Sequence, residues 1–298
     1  MSKTVFLFIL FLCMSALSGE MGQAKRYYVS RDYEQSYRIF RKLAVNGDPE
    51  AQLYVSIFLY KRFVTDPAAP PFMNWLEKSS QKKYPNAMAI LSLFYLEQGK
   101  RADGMKLMEE AAGLNSGLAQ YYLGYFCLGY GGGKRNKKLA VEWLNKAVMN
   151  SDPTAKGLAG LLLGILYYKE SDTPKDLKTA LKYFQIAAEA KDPDAPFILF
   201  ELFFNGETEL PRDIEKAKEY FQLALKRNNT EALVLFGFWA RKKRNLKLAA
   251  NCFARVKKKQ VDIQSVIKRY SDIINDRNFE TVMASLTVNA SDKSANGK

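Results

Sequence analysis

Histidine is absent from all 298 residues, and cysteine occurs only three times. The first absence removes histidine general-base catalysis, Ser-His-Asp and Cys-His nucleophile systems, and histidine-containing zinc sites. Cys127 and Cys252 stand far apart, each inside an apolar helical pattern. Their separation argues against a disulfide framework, and they read as small buried hydrophobes, with an intermolecular bridge as the alternative. No metal or cofactor is expected. Long apolar runs are scarce too. The stretch Val5 to Leu17 is thirteen residues, against about 20 for a helix that crosses a bilayer. Lys3 precedes it and Ser15-Ala16-Leu17-Ser18-Gly19 offers small residues at cleavage spacing. Residues 1–18 therefore read as a secretory signal peptide, and the expected location is periplasmic or secreted. An uncleaved anchor is opposed by the length, and lipidation of Cys13 by the bulk of Leu12 before it.

What is present is enough for a core: 48% hydrophobic residues against 26% charged, with a formal charge of +14. Global disorder is excluded. Carboxylate-pair chemistry has no obvious site, because pairs such as Glu109-Glu110 are neighbours that point to different sides of a helix. Gly129-Tyr130-Gly131-Gly132-Gly133 with Lys134 lacks both a preceding strand and the spacing of a phosphate loop, and reads as a hairpin turn. Catalysis is not expected.

One pattern recurs: a small residue, two others, a bulky pair, two others, and a small pair. The copies are Ser36/Ile39-Phe40/Leu43-Ala44, Pro71/Asn74-Trp75/Lys78-Ser79, Gly104/Leu107-Met108/Ala111-Ala112, Ala140/Trp143-Leu144/Ala147-Val148, Ala180/Tyr183-Phe184/Ala187-Ala188, Ala217/Tyr220-Phe221/Ala224-Leu225 and a worn Ala249/Cys252-Phe253/Val256-Lys257. Their last positions are separated by 35, 33, 36, 40, 37 and 32 residues. Periods in this range mean stacked helical hairpins. Offsets of three, four and seven place these residues on one stripe of the second helix, with Trp143 expected to be fully buried. The next hairpin starts with Asp48-Pro49, Asp152-Pro153 or Asp192-Pro193, aspartate as cap and proline at the first position. Bulky-Gly pairs inside first helices, at Leu123-Gly124, Leu163-Gly164 and Phe236-Gly237, predict close helix approach.

These motifs resemble the Sel-1-like repeats, relatives of the tetratricopeptide repeats. The copy most like the family is Ala119, Leu123-Gly124, Cys127, Gly129 and Gly131, followed by Lys138, Ala140, Trp143-Leu144, Lys146 and Ala147-Val148. The resemblance implies an all-α fold, a right-handed superhelical solenoid of stacked antiparallel helical hairpins. The expected organisation is a lone capping helix at 30–45 opening a repeat solenoid over 30–257. A C-terminal capping helix at 260–275 and a disordered tail at 288–298 follow.

The resemblance also implies a binding trough on the first helices. Carried onto this chain, its positions are Tyr121, Tyr125 and Leu128; Leu161, Ile165 and Tyr168; Phe197, Glu201 and Phe204; and Val234, Phe238 and Arg241. A second candidate surface is basic. Lys61-Arg62, Lys100-Arg101, Lys134-Arg135 with Lys137-Lys138, and Arg241-Lys242-Lys243-Arg244 fall in the turns between first and second helices, and equivalent turns stack along one edge. The expected partner is a protein held by a non-catalytic periplasmic adaptor or regulator. Some bacterial relatives are immunity proteins against envelope-targeting lipase effectors, which the resemblance implies as a sharper role. Binding of anionic lipid or polysaccharide is the alternative, and nucleic acid is not an expected partner of an exported protein.

Overall fold

The computed structural model describes residues 19–132, 134–169, 176–257 and 261–295. Among the described residues there are seventeen α-helices and no β-strand. The expected signal peptide lies outside the described residues. The helices are α1 (Glu20–Ser30) and α2 (Tyr33–Val45), α3 (Pro49–Tyr60) and α4 (Phe72–Gln81), α5 (Pro85–Glu97) and α6 (Arg101–Gly113), and α7 (Gly117–Cys127) and α8 (Lys137–Met149). Then come α9 (Pro153–Lys169) and α10 (Leu177–Glu189), α11 (Ala195–Asn205) and α12 (Ile214–Lys226), α13 (Thr230–Lys242) and α14 (Leu246–Lys257), and finally α15 (Ile263–Arg269), α16 (Ser271–Asn275) and α17 (Arg277–Ala295). The chain divides into two compact units, residues 1–143 and 144–298. Each is built of antiparallel hairpins, the expected all-α solenoid organisation.

Helix starts follow their local chemistry. The Asp48 carboxylate accepts the Ala51 backbone N–H at 2.7 Å and that of Asp152 accepts Thr154 N–H at 2.8 Å, with Pro49 and Pro153 opening the helices behind them. Ser116 and Asn229 take the same role toward Ala119 and Ala232. The Gly129–Gly132 run is a turn, with a short 3-10 segment at Tyr130–Gly132 and positive φ at Gly129, Gly131 and Gly132.

The bulky pair makes the core through its second member. Phe40, Met108, Leu144, Phe184 and Phe221 are fully buried, while Trp143 is only half-buried, against expectation. The second copy runs one residue later than the sequence pattern suggested. Lys83 N–H bonds Ser80 O and Tyr84 N–H bonds Ser79 O, the turn that Asn115 and Ser116 make to Ala112 and Ala111. Its pair is therefore Trp75-Leu76 with Ser79-Ser80 as the small pair, and Leu76 is buried. At the worn copy the order is reversed, Cys252 being buried and Phe253 half-buried. Small residues on the first helix receive these side chains. A Cβ added to Gly164 would lie 2.5 Å from the Phe184 ring, and one added to Gly237 would lie 3.0 Å from Cys252 Cβ and from the Phe253 ring.

The two ends differ from the expectation. The lone helix at 30–45 has a partner, because α1 packs on α2 with Ala24 fully buried and Ser36 Oγ donating to Ala24 O at 2.9 Å. At the other end the expected single capping helix is two short ones, α15 and α16, and α17 continues through residues where a disordered tail was expected.

Gly164→Ala tests the close approach. Helix propensity alone would favour alanine by about 1 kcal/mol. Overpacking against a ring that cannot retreat costs about 1–3 kcal/mol, so the variant should be less stable in a urea melt. Gly113→Ala, with nothing within 4 Å of the added methyl, should be neutral or stabilising.

Candidate functional site

In the second unit the first-helix face carries the chain's own C-terminal helices. Tyr270 packs edge-on to Phe197 with ring centroids 5.3 Å apart, and Phe279 sits edge-on to Phe204 and Phe221 at 6.4 and 6.3 Å. Trp239 Nε1 donates to Glu280 at 3.0 Å, Lys243 pairs with Glu280 at 2.7 Å, and Arg212 pairs with Asp276 at 2.9 Å. The ion pairs are half-exposed and each contributes about 0–1 kcal/mol, whereas burying a phenylalanine contributes about 1.5–3 kcal/mol. Phe279, 1% exposed, therefore holds the segment down and the charges set its register.

That packing corrects part of the expected trough. Phe197, Phe204 and Val234 are core residues, because α15–α17 complete the apolar environment that the trough reading left to a partner. Phe238 is half-buried and Arg241 exposed on α13. Ile165, Tyr168 and Glu201 do come together, lining one cavity of about 290 Å³ with Phe184, Ile198 and Asn205. The Tyr168 hydroxyl donates to Glu207 at 2.5 Å, and burial together with that carboxylate raises its pKa. Burial pushes the Glu201 carboxyl up to about 7, helped by the Glu231 charge and opposed by Lys169, Arg269 and the Tyr270 hydroxyl.

Among the described residues no segment covers the same face of the first unit. Tyr121, Tyr125 and Leu128 are half-buried on and just beyond α7. Tyr125 stacks on Tyr130 at 4.6 Å and meets Tyr121 at 6.2 Å. The larger recesses lie to their side. One, of about 550 Å³, is lined by Leu93, Leu96, Met105, Tyr122 and Phe126. Another, of about 440 Å³, is lined by Tyr60, Phe72, Ile90, Phe94 and Tyr122. None of these residues is among the trough positions carried over from the resemblance. α3 and α5 carry Val55-Ser56 and Leu91-Ser92 where later helices carry a bulky-Gly pair. Ser56 and Ser92 are buried as the glycines are, so a search for small residues in general would have found these helices.

The basic turns are at the surface. Lys134, Arg135 and Lys138 are exposed and Lys137 half-buried, and Lys242, Lys243 and Arg244 are exposed. Arg101 Nη1 donates to Gly131 O at 2.8 Å, which ties one basic turn to the next. Burial raises the thiol pKa of both Cys127 and Cys252, the opposite of activation. Cys252 is buried as expected, whereas Cys127 is half-buried. Among the described residues no cluster could hold a metal ion, and no helix is long and apolar enough to cross a membrane.

Glu201 gives a pH signature. Its folded pKa is raised from the ordinary 4.5 to about 7, so it contributes stability that is complete below 4.5 and lost as pH rises through about 7. The melting temperature should fall between about pH 5 and about pH 8, and Glu201→Gln should flatten that fall. Parallel curves for the two proteins would show that Glu201 is not responsible.

The Sel1 repeat family matches residues 13–48, 117–152, 159–192 and 193–229. No curated protein matches the sequence. Among solved structures, a Sel1 repeat protein from Oxalobacter formigenes is 20% identical, with 80% of this chain and 100% of that one covered and a TM-score of 0.59. An immunity protein from Pseudomonas aeruginosa is 16% identical over 69% of this chain and 81% of its own, TM-score 0.53. A second from that organism is 17% identical over 69% and 82%, TM-score 0.51. At these identities the likeness is one of fold. Sel1 repeats are generally non-catalytic scaffolds for protein–protein interaction. With four matched segments and a stack of helical hairpins, this chain carries Sel1 repeats.

Proposed function

We propose that the protein is exported to the periplasm and holds a partner protein there without chemistry of its own, as an immunity protein that neutralises an envelope-targeting effector. The observation that carries the reading is the open first-helix face of the first unit. It offers two apolar recesses with aromatic walls, lined by Tyr60, Phe72, Phe94, Tyr122 and Phe126. Aromatic anchors of this kind dominate the energetics of protein interfaces. The short apolar start supports export. The fold shared with immunity proteins supports the sharper role. A lipase effector fits that compartment, since its substrate is the membrane itself.

A second reading, attachment to an anionic membrane surface, is favoured by the exposed basic turns. Two measurements separate them. On the first reading, deleting the gene sensitises cells to attack by siblings, and the tagged mature protein retains a partner from envelope extract that Tyr122→Ala with Phe126→Ala releases. Unchanged sensitivity of the deletion strain contradicts it. On the second reading, the protein binds anionic vesicles at low salt with no partner present.

A further inference from the structure

The covered face of the second unit shows what the open face of the first can take. In the covered face, the cation in the connection after α11 is Arg212, whose guanidinium lies over the Phe204 ring at 5.1 Å and pairs with Asp276 at 2.9 Å. In the open face, the connection after α3 begins with Lys61-Arg62. The two cations thus follow corresponding first helices. Aromatic positions correspond as well. Tyr60 stands as far beyond the buried Ala51 as Phe204 does beyond the buried Ala195, and Phe94 as far beyond Ala87 as Trp239 beyond Ala232.

In the second unit Phe279 covers Phe204, Glu280 holds Trp239 and Lys243, and Asp276 holds Arg212. In the first unit no described segment covers the corresponding positions. Tyr60 is 51% exposed and forms a trio with Phe72 and Phe94, centroids 5.1 to 5.6 Å apart. The Lys61 ammonium has no carboxylate among the described ion pairs and rests over the Tyr60 ring at 5.3 Å. Lys100 and Arg101 add positive charge at the neighbouring turn, with Glu97 as the acidic side chain in the lining.

We propose that the Tyr60–Phe72–Phe94 recess and the Lys61-Arg62 turn form a docking site for a helical segment of a partner protein. The segment carries an aromatic anchor flanked within one turn by carboxylates. The aromatic ring seats on the trio as Phe279 seats on Phe204, and a carboxylate pairs with Lys61 at the Tyr60 ring as Asp276 pairs with Arg212 at the Phe204 ring. This deepens the protein-binding reading above by giving the partner's chemistry and its seat.

The test uses a fluorescein-labelled peptide of this chain's residues 270–286, titrated into the full protein by anisotropy at low and high salt. Binding that weakens about tenfold or more with Tyr60→Ser, with Lys61→Glu/Arg62→Glu, or with the peptide's acidic positions 276 and 280 changed to lysine supports the site, as does loss of affinity at high salt. No binding overturns it, and so does binding that those variants leave unchanged, which would mark exchange at the second unit. A dimer that Tyr60→Ser dissolves, or vesicle binding without peptide binding, would put a different occupant there and also overturn it. A circular-dichroism melt of each variant guards against misfolding. Should the effector remain bound to the Tyr60→Ser protein, this inference fails alone. Should the deletion strain show no sensitivity, the immunity reading fails alone.

Discussion

The contact on which the rest depends is a bulky side chain of a second helix set against a small residue of a first helix. Phe184 on Gly164 is its tightest instance: the absent Cβ is what lets the ring enter. Met108 meets Ser92 in the same way, while Phe40, Leu76, Leu144 and Phe221 are buried at the same repeat position, Phe221 against the Phe200 ring; each hairpin buries its stripe only with help from a neighbouring helix. The geometry then leaves the other side of the first helices without an assigned cover. The function proposed above turns on how that side is closed.

The second unit closes it internally. Phe279, Val282 and Met283 are buried there, and Tyr270 lies against Phe197 beside the carboxyl of Glu201. The same covering removes water from Glu201 and moves its titration into the neutral range, so packing and electrostatics at this place have one cause. Among the described residues the first unit has no such segment on its aromatic trio, and its basic turns keep cations at the rim. On the reading proposed above, one half of the chain is a worked example of the contact that the other half offers.

The repeat was legible because it rests on local rules: a helical stripe of small and bulky residues, aspartate or serine caps, glycine where helices touch. Its errors have physical causes. In the second copy Ser79-Ser80 replaces the alanine pair, and Asn74-Trp75 imitates a bulky pair, which moved the register by one residue. The trough was sought through glycine, so α3 and α5 were missed where serine fills the same space. Phe197 and Phe204 were assigned to a partner because an aromatic stripe has the same signature whether another protein or the chain itself covers it. The covering helices were overlooked because α15 and α16 are too short to show a period, and the polar end of α17 resembles a solvated tail.

Removing residues 261–298 and following hydrogen exchange across α11 and α13 tests this account most directly. If the C-terminal helices close the second unit, the truncated protein exchanges faster around Phe204 and Trp239, binds an apolar dye and melts at a lower temperature. Unchanged protection and melting would mean that the face is stable uncovered, and that the internal segment is no guide to what the first unit binds.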